Sequence, residues 1–68
     1  MRRTSLTRLQ LQVELFNVDN PPGTPVLHRP LTGTATETIT ASRASLYGRT
    51  PVVHLMGAGR VPLSDVVR

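Results

Sequence analysis

Apolar and polar residues alternate strictly near the start of the chain. Leu9, Leu11, Val13 and Leu15 are separated by Gln10, Gln12 and Glu14, and Phe16 closes the run. A period of two is the pattern of a strand with one buried and one wet face. On a helix, the same four apolar residues scatter around the circumference. The pattern therefore predicts a strand over 9–16, preceded by a flexible basic arm over 1–8.

Residues 17–25 carry turn chemistry, with Asp19-Asn20-Pro21-Pro22-Gly23-Thr24-Pro25. Proline pushes the residue before it out of the helical region, and glycine accepts a positive φ. Val26-Leu27-His28-Arg29 then reads as a short strand, framed by Pro25 and Pro30 and so expected to be either at an edge or very short. Leu31-Thr32-Gly33 reads as a further turn.

Residues 34–47 fit two templates. As a strand, Thr34, Thr36, Thr38 and Thr40 share one face, and threonine favours strands. As a helix, Ala35, Ile39, Ser42 and Leu46 form a narrow stripe. Thr34-Ala35-Thr36-Glu37 matches a capping box, and Gly48 stands where a helix would stop, with Arg43 and Arg49 near its negative end. The agreement of start, stripe and stop favours the helix.

Pro51-Val52-Val53-His54-Leu55-Met56 has the short, β-branched composition of a buried strand. Gly57-Ala58-Gly59 permits a tight reversal into Arg60-Val61-Pro62-Leu63, a short edge strand limited by Pro62. Ser64 to Arg68 begins like a capped helical turn, and its two valines are expected to dock on something. The expected fold is one small α+β domain over 9–68. It has a single antiparallel sheet in β-β-α-β-β order with one helix packed on it.

Composition sharpens this picture. A chain of 68 residues buries only about 60% of its unfolded surface, so its stability is marginal. Domains of this size usually carry a disulfide, a structural metal or a partner. There is no cysteine, and two histidines are too few for a histidine-only zinc site within one chain. Phe16 and Tyr47 are the only aromatics, so the core must be aliphatic. Association is the remaining route to stability. No apolar run approaches the roughly 20 residues of a membrane span, nor is there a signal-peptide core of about 7–15 apolar residues, so no membrane partner is expected. The expected location is cytoplasmic or virion-associated.

All eight basic side chains are arginines, against four acids, for a net charge of +4. Complete absence of lysine fits a GC-rich genome, because most arginine codons are GC-rich. It also supplies planar forks that grip phosphates and carboxylates. Arg2, Arg3 and Arg8 cluster in the arm, where they could track a nucleic-acid backbone. The other five are scattered. No helix-turn-helix or zinc-finger pattern appears, and with only Phe16 and Tyr47 no aromatic platform for stacking bases is expected, which argues against single-strand binding.

Catalytic chemistry has little support in the sequence. Ser42, Ser45 or Ser64 could combine with His28 or His54 and an acid, but no spacing favours a trio. His54 reads as a structural histidine within an apolar strand, and His28 as a surface or edge residue. Gly57-Ala58-Gly59-Arg60 lacks the third glycine and the helix of a dinucleotide cradle, so it reads as a turn. Val53 to Asp65 resembles the closing segment of ubiquitin-like β-grasp domains. Gly59-Arg60-Val61 resembles a segment of swapped-hairpin antitoxin DNA-binding domains. The rest of the chain departs from both, so neither carries residues across.

The sequence therefore predicts a non-enzymatic interaction or assembly subunit with no cofactor and no small-molecule substrate. Its partner would be a second copy or a larger complex, as for accessory, virion or inhibitor proteins of phages and mobile elements. Strand pairing through 9–16 would place Leu9, Leu11, Val13, Leu15 and Phe16 at the interface. The alternative is a basic nucleic-acid-binding accessory protein that uses Arg2, Arg3 and Arg8 on phosphates.

Overall fold

The computed structural model describes residues 5–67. The chain opens with a helix, α1 (Leu6–Asp19), and not with a strand. The Ser5 side chain accepts the Arg8 amide at 3.1 Å and so caps the first turn. Between Ser5 and Asn20 there is no glycine or proline, and leucine, glutamine, glutamate and arginine are good helix formers. The helix stops where Pro21-Pro22 forbid its continuation. Asn20 closes it, its backbone amide donating to the Phe16 carbonyl at 2.7 Å.

Two expectations about this region are corrected. The segment 9–16 spends its backbone groups within α1, so they are not free to pair with another strand. Residues 5–8 are not part of an arm, because Ser5 is a cap and Leu6, Thr7 and Arg8 belong to the helix; residues 1–4 of the expected arm lie outside the described residues. Arg2 and Arg3 lie outside the described residues.

Six short strands follow: β1 (Pro25–His28), β2 (Thr36–Ile39), β3 (Ser45–Tyr47), β4 (Thr50–Leu55), β5 (Gly59–Pro62) and β6 (Val66–Val67). A 3-10 turn, Leu63–Asp65, separates β5 from β6. They form two three-stranded antiparallel sheets, ordered β2-β1-β6 and β3-β4-β5. The fold is α+β as expected, but with two sheets and the helix first. A bridge between Thr40 and Leu55 and a bond from the Met56 amide to the Ile39 carbonyl, 3.0 Å, join the sheets at a corner.

The helix expected over 34–47 is absent, and β2 and β3 occupy that stretch. Threonine's β-branched side chain favours the pleated strand, and here that preference wins over the capping-box pattern. Glu37 sits opposite Leu27 in the β1–β2 ladder. Gly48, expected to end a helix, instead opens the two-residue β3–β4 turn at φ +64. A positive φ at the first turn position is the glycine-favouring geometry of such hairpins.

The remaining strand readings hold with small shifts. β1 is very short, four residues with Pro25 at its start; of the two readings its prolines allowed, the edge is not taken, because β1 is the central strand of its sheet. The Gly57 region makes the tight β4–β5 connection, and β5 is an edge strand. The final valines dock as β6, with Leu27 opposite Val67 and His28 opposite Val66. The C-terminal helical turn is thus a single 3-10 turn before a strand.

The core gathers Val13, Val26, Ala44, Val53, Leu55, Val61 and Leu63, with Phe16, Leu46 and Val66 packed against it. All are aliphatic except Phe16, as the composition requires. Each fully buried valine or leucine among them contributes roughly 1.5–3 kcal/mol. Two polar fasteners hold the elements in place. The Asn17 side-chain amide donates to the Ala44 carbonyl at 3.1 Å, and its oxygen accepts the Ala44 amide at 2.7 Å. Thr40, only 1% exposed, donates its hydroxyl to the Pro21 carbonyl at 2.9 Å and accepts the Thr24 amide at 3.0 Å. The loop after α1 is thereby tied to the sheet corner.

Candidate functional site

Helix α1 is apolar on two opposite faces. At 100° per residue, Leu9, Val13 and Phe16 centre on one side. Leu11, Leu15 and Val18 centre roughly 160° away, within about 60° of arc. The first group is the inner face: Leu9 and Val13 are buried and Phe16 is half-buried. The second group faces away from the core, with Leu11 55%, Leu15 57% and Val18 78% exposed.

The strict alternation of the sequence is the sum of these two stripes. Leu9 and Val13 are four apart, as are Leu11 and Leu15, and the two pairs interleave. The five residues expected at a strand interface are thus divided. Leu11 and Leu15 are available to a partner, whereas Leu9 and Val13 are spent on the core with Phe16 packed beside them. Val18 completes the outer stripe at i, i+4, i+7 but falls in the stretch read as a turn, so the sequence reading missed it. Once the helix is known, the heptad Arg8, Leu11, Leu15, Val18 is plain in the sequence, at alternating a and d positions.

Polar residues border the stripe. Arg8 heads it and Glu14 flanks it, both exposed. Beyond Val18 lies an open groove of about 410 Å³ lined by Glu14, Asn17, Val18, Pro21, Pro22 and Arg43. A second apolar surface covers the outer face of β1 and β2, where Pro25, Leu27 and Ile39 surround Glu37 over a groove of about 570 Å³.

The histidines take separate places. His28 is half-buried in β1, and His54 is exposed in β4 rather than within the core. Of the serine–histidine pairs that the sequence offered, the fold brings the Ser42 hydroxyl to 3.5 Å from His54 Nδ1. No acid accompanies them in the hydrogen-bond network of the described residues. Those residues also hold no group of three histidines or acids that could share a metal ion. Gly57 and Gly59, at φ +82 and +77, serve the hairpin turn. No described helix is long and apolar enough to cross a membrane.

Compared with protein-family models, curated proteins and solved structures, the chain matches none.

Proposed function

We propose that this protein is a non-enzymatic assembly subunit whose first partner is a second copy of itself, docked through the outer face of α1. The observation that carries the reading is the exposed Leu11-Leu15-Val18 stripe on a helix whose other face is already buried. A helix apolar on both sides gains from cover on both sides.

A second copy suits this stripe. Arg8, Leu11, Leu15 and Val18 take a and d positions, the seam of paired helices. Antiparallel pairing seats Leu11 of one copy against Leu15 of the other and separates the two Arg8 side chains. Parallel pairing would set Arg8 against Arg8. A two-fold contact also uses the same patch twice, the commonest arrangement of small oligomers. Scarce aromatics and the absence of cysteine give the chain reason to gain stability this way.

Sedimentation of the full chain tests the reading. A dimer is expected, and Leu15→Glu should convert it to a folded monomer. A wild-type chain that sediments as a monomer at all concentrations overturns self-association. A monomer that enters a hetero-complex through Leu11 and Leu15 would move the same face to a different partner.

A further inference from the structure

We infer that the outer face of the β3-β4-β5 sheet is a binding platform for single-stranded nucleic acid, centred on Tyr47 and Arg60. This site is separate from α1, which packs on the opposite side of the sheet, where Val13 joins Val53, Leu55 and Val61.

Strand register defines the platform. Tyr47 faces Thr50, Ser45 faces Val52, Val52 faces Pro62, and His54 faces Arg60. Residues directly opposite share a face, and alternate residues along a strand do too. The outer face therefore presents Ser45, Tyr47, Thr50, Val52, His54, Arg60 and Pro62. None of these is an acid. The four acids lie elsewhere: Glu14 and Asp19 on α1, Glu37 on the other sheet, and Asp65 in the 3-10 turn. In a chain of net charge +4, one sheet face is thus free of negative charge.

On this face the Arg60 guanidinium lies 3.8 Å from the centroid of the Tyr47 ring. The pair reaches across β4 over the row that holds Val52. That explains why Val52 is only 7% exposed although it points away from the core. Stacking uses the flat face of the guanidinium and leaves its N–H groups at the edge. No described residue accepts a hydrogen bond from them. A held fork of unused donors suits a phosphate. Tyr47 remains 62% exposed, so ring surface is left for a base. An aromatic ring beside a phosphate-binding arginine on an open sheet is how single strands are held. Two aromatics in the sequence argue against such a platform, and the fold reverses that expectation by seating Arg60 on the exposed Tyr47 ring. Helix α1, the one α-helix among the described residues, packs on the opposite side of the sheet and so is not placed to enter a duplex groove from this face, which favours the single strand.

The test uses the full chain and fluorescein-labelled dT15 and rU15, with a 15-base-pair duplex, heparin and polyglutamate as competitors, read by anisotropy. Single strands should bind at low salt and resist the bases-free polyanions. Tyr47→Leu, which still covers Val52, should weaken binding about ten-fold with the salt slope unchanged. Arg60→Gln should lower the slope of log K against log salt by about 0.7, one phosphate contact on a single strand. Amide shift mapping on the wild-type chain removes dependence on variant folding: shifts should fall on β3, β4 and β5. No binding at low salt overturns the inference. So does equal competition by heparin or polyglutamate, or shifts confined to residues 1–8 or to α1.

Discussion

The two faces of α1 are built from the same kinds of residue and have opposite fates. Leu9 and Val13 are buried on the side of the helix that packs on β3 and β4, whereas Leu11 and Leu15, two residues along in each case, stand more than half exposed. Composition does not separate them; position around the helix does. One face meets strands that present Val53, Leu55 and Leu46, and the other meets solvent. The inner stripe therefore belongs to the folding of one chain, and the outer stripe is available for contact between chains. Substitutions at the two faces should differ accordingly.

The largest effect belongs to the inner face. Val13→Asp places a charge with no partner inside an aliphatic cluster. Burying an unpaired charge is among the few mechanisms that cost about 4 kcal/mol or more. That is comparable with the whole stability of a small domain, roughly 0.05–0.15 kcal/mol per residue. Chemical denaturation and far-UV circular dichroism should find the variant largely unfolded at 25 °C. A cooperative unfolding transition like that of the wild type would mean that Val13 is not a core residue, and the division of α1 into two faces would fail.

A smaller effect is expected where the inner face is polar. Asn17 holds both the amide and the carbonyl of Ala44. Asn17→Ala leaves those two backbone groups without their partner, which costs on the order of 2 kcal/mol. Denaturant titration should record a lower midpoint with little change in slope. Asn17→Asp retains the acceptor but not the donor, so it should fall between the two.

The same helix explains what was and was not legible in the sequence. Val26 to His28, the strand at 51–56, the reversal at Gly57 and the short strand after it are each bounded by glycine or proline, and turn chemistry is local. The stretches 9–16 and 34–47 were exchanged in type. In the first, two four-residue helical spacings interleave and mimic period two. Ser5, the cap that would have identified the helix, lay in a segment read as an arm. In the second, Thr34 and Glu37 imitate a capping box, while the threonines follow their strand preference once β1 offers a ladder. Of the candidate site, Leu11 and Leu15 were found for the wrong backbone geometry. Val18, Tyr47 and Arg60 needed the fold, because their neighbours come from distant parts of the chain.

The smallest expected change in stability of the single chain is the one that most sharpens the contrast. Leu15→Gln removes apolar surface that the single chain never buries, and glutamine is nearly as good a helix former as leucine. Its cost to the monomer should lie within about 0.5 kcal/mol, as for surface substitutions generally. In a dimer paired through α1, the same change removes a seam residue from both copies. Thermal denaturation at several protein concentrations separates the two quantities. Binding between copies makes the wild-type midpoint rise with concentration. Leu15→Gln should flatten that rise while leaving the dilute-limit midpoint close to wild type. A midpoint lowered equally at every concentration would instead place Leu15 in the fold of the single chain, and the two faces of α1 would no longer differ in kind.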